Sequence, residues 1–362
     1  MNESQIDDAV ESLHSQKQPA IKTRSLIVKL GGIGDVVCAL PAARKLYESG
    51  SDINWLVGRA AASLLSCYSW VCPIVVNDAL LLKGRRIEAI MEVMRTWGRL
   101  FGSSYDLCAV LQYDNRYRLL TLPVRARRSI SLSHNIRALK LVGERHHPAE
   151  YVRILCSLAD GYCAENVPPV APDRLPDNPL PRNEKRRIAL APGGARNQLR
   201  DDPQRRWPID SYVELARFLL GRGHEVVLTG GPDDRWVEPY FSALGVDSKI
   251  GAWAIPQTIS FYQSCDCVVS HDSGPMHLAG LTRCGLVGLF GPTAPSKSLP
   301  RRDGVIGLWG GEHLPCRPCY DGRDYAACNW NGCMISITPR RALEAVESLL
   351  AKAGADWRIE NV

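Results

Sequence analysis

One carboxylate, Asp35, stands in "KLGGIGDVVCALPAARKL" (Lys29–Leu46), behind three glycines in four positions: Gly31, Gly32 and Gly34. An apolar approach, a glycine turn and an amphipathic run read as a strand turning into a helix. The start of a helix is its electropositive end. A carboxylate there either caps the helix, worth about 1 kcal/mol, or acts as a general base on a bound hydroxyl. Glycines serve the second role because they let a ligand approach the backbone closely.

A second group follows later in the chain. "VVSHDSGPMHLAG" (Val268–Gly280) runs from an apolar strand into Asp272, Ser273 and Gly274, with Pro275 suited to a first helical position. Free N–H groups and a hydroxyl at that turn fit an anion such as a diphosphate. The plain alternative is helix capping by Asp272 or Ser273. His277, between Met276 and Leu278, is as readily a packing residue. "LAPGGARNQLRDDPQRRWP" (Leu190–Pro208) sets Gly193 and Gly194 before Arg196, Arg200, Arg205 and Arg206. Guanidinium forks match phosphate oxygens, or they pair with Asp201 and Asp202 in a solvated loop. "LFGPTAP" (Leu289–Pro295) adds Thr293 after a further strand, on the opposite wall of the same pocket.

Cys316, Cys319, Cys328 and Cys333 lie within eighteen residues, "CRPCYDGRDYAACNWNGC". CxxC followed by two more cysteines fits a structural zinc or iron site with four thiolates. The alternative is a thiol-rich surface loop.

Two phosphate-binding fingerprints fail. Gly32-Ile33-Gly34 is followed by Asp35-Val36-Val37, so GxGxxG lacks its third glycine. The next strand ends Leu56-Val57-Gly58, without an acid for a ribose. No GK[ST] follows the turn either. These absences argue against a nicotinamide oxidoreductase.

The elements that must carry these turns alternate. Strands are expected at Ser25–Leu30, Ile53–Val57, Pro73–Val76, Leu107–Leu111, Arg187–Ala191, Glu225–Thr229, Cys267–Ser270 and Leu286–Phe290. Helices are expected at Val36–Glu48, Arg59–Ser66, Arg85–Phe101, Ile209–Gly221, Pro275–Thr282 and Arg340–Ala351. In the third of these helices Ile87, Ile90, Met91, Met94 and Trp97 keep helical spacing. Strands alternating with helices imply βαβ units and parallel sheets. Pro168–Pro181 holds six prolines in fourteen residues, which makes an extended connection. The expected division is a polar arm (1–23), a first domain (24–167), a proline-rich linker (168–185), a second domain (186–338) with the cysteine loop 316–333, and a C-terminal helix (339–362).

The 362 residues exceed one ordinary core and suit two domains. A net charge of +6 suits anionic ligands but falls short of a nucleic-acid binder's basic stripe. No run of 18 apolar residues is present, nor the basic and apolar regions of a signal peptide at the N-terminus. Most of the thirteen cysteines lie singly in apolar segments, as buried thiols do in a reducing cytosol.

Together, "KLGGIGDVVCALPAARKL", "APGG…RRWPIDSYVELARFL", "VVSHDSGPMHLAGLTRCGLVGLFGPTAP" and "PCRPC…CNWNGCM" resemble glycosyltransferase family 9, the ADP-heptose:lipopolysaccharide heptosyltransferases, across residues 24–352. The resemblance implies the GT-B fold, two Rossmann-like doubly wound α/β domains facing across a cleft. It implies Asp35 as catalytic base and Asp272 near the donor sugar. Ser273, Gly274 and Met276 fall at the diphosphate-binding helix start. Arg205 stands where the family has a lysine on the donor phosphate, two residues before Trp207. Gly193, Gly194, His277 and Thr293 complete the expected donor side. Gly31-Gly32 replace two serines of many members on the acceptor side. Cysteine-rich C-terminal loops also occur in the family.

The expected reaction is inverting transfer of a heptose from ADP-L-glycero-D-manno-heptose to an acceptor hydroxyl, with no cofactor required. The expected acceptor is a lipid A–Kdo core, met by a cytoplasmic enzyme at the inner membrane's cytoplasmic face and peripherally associated with it. A protein or small-molecule acceptor is the alternative. A non-enzymatic binding module stabilised by a metal on the cysteine quartet is the other.

Overall fold

The computed structural model describes residues 22–114, 116–133, 141, 145–157, 166–196, 200–320 and 324–352. The expected N-terminal arm, except Lys22 and Thr23, and the end of the C-terminal helix beyond Lys352 lie outside them.

Two parallel sheets carry the chain. In the first, β1 (Thr23–Val28), β2 (Ser51–Gly58), β3 (Val71–Val76), β4 (Ser104–Val110) and β5 (Arg125–Ser131) lie in the order β3-β2-β1-β4-β5. In the second, β6 (Arg187–Ala191), β7 (Glu225–Leu228), β8 (Asp247–Ser248), β9 (Cys267–His271), β10 (Gly285–Phe290) and β11 (Val305–Trp309) lie in the order β11-β10-β9-β6-β7-β8. The central strands β6, β9 and β10 are buried along their whole length, as continuous apolar runs require in a sheet covered on both faces.

The helices of the first domain are α1 (Ile33–Glu48), α2 (Arg59–Leu65), α3 (Asp78–Lys83), α4 (Arg86–Leu100), the single turn α5 (Arg116–Leu119) and α6 (His147–Leu155). Those of the second are α7 (Ile209–Gly221), α8 (Ile255–Gln263), α9 (Gly274–Gly280) and α10 (Pro339–Lys352), beside shorter turns. α1 packs against α6 and meets α9 of the other domain, so one apolar cluster runs through both units.

In each sheet the strand order reverses once. The neighbours at the reversal are β1 and β4 in the first sheet, and β6 and β9 in the second. A crevice opens at such a point beyond the carboxyl ends of the strands, where doubly wound sheets bind ligands. β1 leads into the Asp35 turn, β6 into Gly193-Gly194, and β9 into Asp272.

Several features differ from the sequence reading. β5, β8, β11, α6 and α8 were not among the expected elements. β5 reads "RARRSIS", whose arginines hide a strand; it is an edge strand, where charge is tolerated because only one side is paired. The proline-rich linker is held by both domains: Tyr68 Oη donates to the Val170 carbonyl at 2.9 Å and Ser260 Oγ to the Pro176 carbonyl at 2.7 Å. α10 is a layer of the second domain rather than an appended segment. It packs on α7 and β10 and buries Ala342, Leu343, Ala345, Val346 and Leu349. α4 forms where its spacing places it, but it turns Glu92, Thr96 and Leu100 inward and leaves Ile87, Ile90, Met91 and Met94 outside.

Candidate active site

Gly32 is the N-cap of α1 with φ of +75°, in the left-handed region that favours glycine. A Cβ there would stand 2.9 Å from Asp35 Oδ2. The turn therefore requires Gly32 both for its backbone and for the room it leaves the carboxylate. No side chain caps this helix. Asp35 instead forms an ion pair with Lys29, Nζ to Oδ2 at 3.2 Å, and its side chain is 52% exposed to the cleft. The carboxylate is anchored by Lys29 and still half exposed, rather than turned onto the helix N–H groups as a cap.

Lys29 is buried at the end of β1, with its ammonium 5.8 Å from the centre of the Tyr151 ring. Burial opposes its charge, but Asp35 and Tyr151 outweigh that and raise its pKa. Burial would likewise raise the Asp35 pKa. The Lys29 ammonium, with His147 and His277, more than offsets it and holds Asp35 below the ordinary carboxylate range. The signs define a pH window. The Asp35 contribution to stability is present above the usual carboxylate pKa and fades as pH falls through the depressed folded value; the Lys29 contribution fades only as pH rises through its raised value.

Lys29→Met should therefore lift the Asp35 pKa, since burial remains and the counter-charge is gone. The acid limb of the kcat/KM profile should move up by about one pH unit or more. An unmoved limb would show that the pair does not set the titration.

Across the cleft, Asp272 is buried among donors. Thr293 Oγ1 donates to its Oδ2 at 2.7 Å, Ser298 Oγ to its Oδ1 at 3.2 Å, and Arg205 Nη2 reaches Oδ2 at 3.2 Å. Arg205 also donates to the Asp272 carbonyl. Burial opposes the carboxylate, and Arg205 first, then His277, Thr293 and Ser298, hold its pKa below the ordinary range. Arg205 comes from a single 3-10 turn, Pro203–Arg205. Its Nε is buried and has no hydrogen-bond partner among the described residues. An N–H of a charged fork left without an acceptor is costly, and it is suited to a phosphate oxygen.

The neighbouring glycines are shaped by Asp234, which accepts from Gly194 N at 2.7 Å and Gly231 N at 2.8 Å. Gly194 has φ of +84°, and a Cβ on it would stand 3.1 Å from Ser273 Oγ. Ser273 does not cap α9; its hydroxyl donates to the His271 carbonyl at 3.2 Å. Pro275 has no N–H and Met276 N bonds the Ser273 carbonyl, so in this first turn it is the Gly274 N–H that is left without a side-chain cap.

His277 joins the two sides. Its Nε2 is 3.9 Å from Asp272 Oδ1, and its ring fills the space beside Gly34, where a Cβ would come within 2.5 Å of the ring. Burial outweighs both nearby carboxylates and lowers its pKa, so the ring stays neutral at neutral pH. Gly34→Ala should wedge the domains apart and cost about 1–3 kcal/mol of stability, as overpacking does. An unchanged melting temperature would mean that the contact yields freely.

Of the expected residues, the structure brings Asp35, Gly32, Gly34, Gly194, Arg205, Asp272, Ser273, His277 and Thr293 around one cleft. Gly31 flanks the turn, 4.0 Å by its built Cβ from Asp78. Gly193 packs on Asp234. Gly274 lies against Ile33 of the first domain. Met276 departs from expectation in its side chain, which is fully buried in the core under α9; only its backbone belongs to the helix start, its N–H bonding the Ser273 carbonyl. Of the four arginines, Arg196 pairs with Asp201 in the solvated-loop role, while Arg206, also on Asp201, is largely buried and donates to the Gly194 carbonyl at 2.9 Å.

Sequence reasoning missed Lys29, His147, Asp234 and Ser298. For Lys29 the signal existed: a charge inside the apolar run "SLIVKL". It missed Tyr320 and Tyr325 as well. Their rings stand 4.6 Å apart, and Tyr325 lies under Arg200 at 5.6 Å. Their electrostatic neighbours include Asp35, Arg205 and Asp272. The cysteine loop, read from sequence as a structural metal site or a surface loop, therefore reaches the cleft. Cys319 N bonds the Pro292 carbonyl at 3.1 Å, and Asn331 Nδ2 the Arg206 carbonyl at 3.2 Å.

The family model for glycosyltransferase family 9 (heptosyltransferase) matches residues 94–329, which take in the whole donor side of this cleft. The chain belongs to glycosyltransferase family 9. Its likeness to lipopolysaccharide heptosyltransferase 2 of Salmonella typhimurium is 32% identity over 162 residues, 42% of this chain and 44% of that protein. The chain thus matches less than half the length of that relative. Among solved structures, the family 9 glycosyltransferase from Veillonella parvula superposes with a TM-score of 0.73 at 19% identity, covering 91% of this chain and 97% of that one. E. coli heptosyltransferase WaaC with ADP gives 0.68 at 17% identity, covering 90% and 99%. These superpositions establish the GT-B fold of the family for this chain.

The four cysteines of the loop differ in exposure. Cys316 and Cys328 are exposed, Cys319 is half-buried and Cys333 is buried. Among the described residues no group of three or more His, Cys, Asp or Glu side chains is placed to hold a metal ion. Among the described residues these four thiols are not arranged as the expected tetrahedral shell.

Proposed function

We propose that this chain transfers a heptose from ADP-heptose to a hydroxyl of the lipopolysaccharide inner core, with inversion at the anomeric carbon. The observation that carries this reading is the placement of two differently held carboxylates across one cleft. Asp35 is half exposed beside Lys29, and Asp272 is locked beside an arginine whose Nε has no acceptor among the described residues.

Asp35 accepts the proton of the acceptor hydroxyl as that oxygen forms its bond to the anomeric carbon. The bond from that carbon to the diphosphate oxygen breaks, and its electron pair leaves with the ADP. Arg205 Nε and the Gly274 N–H at the start of α9 stabilise the charge that develops on the departing diphosphate. Asp272 lies beside the sugar, where its negative charge favours the positive charge developing at the anomeric carbon. Because Asp35 is already ionised, the acceptor binds to a ready base. Its low pKa is corrected when substrate excludes water from the cleft and strengthens the base.

The family and the superposition on a heptosyltransferase solved with ADP support the donor. Similarity to a lipopolysaccharide heptosyltransferase supports the acceptor class. The test is ADP release by purified chain, offered ADP-heptose and a series of UDP- and GDP-sugars with a heptose-free core acceptor. ADP-heptose should be consumed at least tenfold faster than any other donor; equal use of a different nucleotide sugar would overturn the donor assignment. The quartet's role as a structural zinc or iron site rests on its spacing alone, and elemental analysis of purified chain decides it: a stoichiometric metal supports the site, and its absence ends it.

A further inference from the structure

α4 contradicts the usual logic of an amphipathic helix. A surface helix turns its apolar stripe to the core and its charges to water. Here the stripe Ile87, Ile90, Met91 and Met94, at i, i+3, i+4 and i+7, is 66%, 57%, 59% and 62% exposed. Phe101, one residue beyond the helix, extends the line at 83% exposed. The inward side is anchored in its place by polar groups. Glu92 accepts from Asn77 N at 2.8 Å, and Thr96 Oγ1 donates to the Glu92 carbonyl at 2.8 Å. The helix is therefore not free to roll its stripe inward.

The exposed charges that border the stripe are arginines. At about 100° per residue, Arg86 stands on one flank and Arg95 on the other, both exposed. Arg86 has no ion-pair partner among the described residues, and Arg95 is tied to Glu92 at 2.9 Å while its side chain stays outside. Glu88, the remaining acid of the helix, is turned back onto Arg85 N. The adjoining turn adds exposed Arg118, Leu119 and Leu122, joined to α4 by Trp97 Nε1 bonding the Leu119 carbonyl at 2.7 Å. Apolar side chains bordered by arginines match a bilayer with anionic headgroups: the stripe enters the acyl boundary, and the guanidiniums reach the phosphates.

We propose that the outer face of α4 docks the protein on an anionic membrane surface. The docking helix belongs to the domain that carries Asp35, and it follows α3, which leaves the carboxyl end of β3 beside the cleft. It goes beyond the assigned reaction, since neither the stripe nor its arginines touch the cleft residues.

The test uses the full chain and sedimentation with phosphatidylcholine vesicles, with and without phosphatidylglycerol. The parent should bind only the anionic vesicles, and less as salt rises. Ile90→Glu with Met94→Glu should weaken binding at least tenfold, and Arg86→Gln should weaken it several-fold. All these side chains are exposed, so melting should be unchanged. Transfer to a soluble acceptor should also be unchanged, which separates failure of the docking surface from failure of the proposed reaction. Three results would overturn the docking surface: no binding to anionic vesicles, equal binding to neutral ones, or full binding by the double variant. A dimer in sedimentation velocity that dissociates in the double variant would assign the face to a second copy instead.

Discussion

Asp35→Asn should leave the fold in place and reduce turnover about 10²–10⁴-fold, the usual worth of a positioned general base. Asparagine keeps the shape at the third residue of α1 and an oxygen for Lys29, but it cannot hold the acceptor's proton. Donor affinity should stay near that of the parent, because the donor side is built from Arg205, Asp272 and Thr293. The acid limb of the pH profile should vanish with the carboxylate that produces it. Circular dichroism and calorimetric donor binding provide the controls. Near-normal turnover would show that the Lys29–Asp35 pair is structural and that the proton leaves by another route.

Arg205→Ala should weaken ADP-heptose binding about tenfold to 100-fold, since a charge-assisted contact contributes about 1.5–3 kcal/mol. A further cost arises inside the protein. Asp272 would keep its burial and lose its closest cation, now 3.2 Å away. Its pKa should rise, and donor binding should gain a pH dependence that the parent lacks in the same range. Arg205→Lys restores the charge without the fork, so it should recover part of the affinity. It also places at this position the residue that the family resemblance leads one to expect. Acceptor binding should barely change in either variant. If the alanine variant binds donor as the parent does, the arginine belongs to the loop and not to the phosphate.

How much of this was legible in the sequence follows from how local each signal is. β6 and α7 are read at their observed bounds because apolar periodicity and flanking turn residues act within a few positions. The turns carrying Asp35, Gly194 and Asp272 are read for the same reason. What failed depends on the neighbours. The ion pair of Lys29 is visible only once β1 delivers both residues to one sheet edge. Asp234 acts through glycines forty residues upstream, and Tyr325 reaches the cleft only because the cysteine loop folds back over Arg200 and Arg206. Met276 looked like a ligand contact because its backbone is in the right turn, while its side chain follows the core. The α4 stripe was read correctly as helical, but nothing local states which way a helix faces.

The central claim is most directly tested by the anomeric configuration of the product. Purified chain is incubated with ADP-heptose and a heptose-free lipid A–Kdo core. Released ADP is counted against transferred heptose, and the new linkage is read by NMR. One ADP per heptose transferred and a glycosidic linkage opposite in configuration to the donor are expected, with the rate of both falling about 10²–10⁴-fold in Asp35→Asn. A product that retains the donor configuration would contradict direct attack assisted by Asp35, and so would transfer at near-parent rate without this carboxylate.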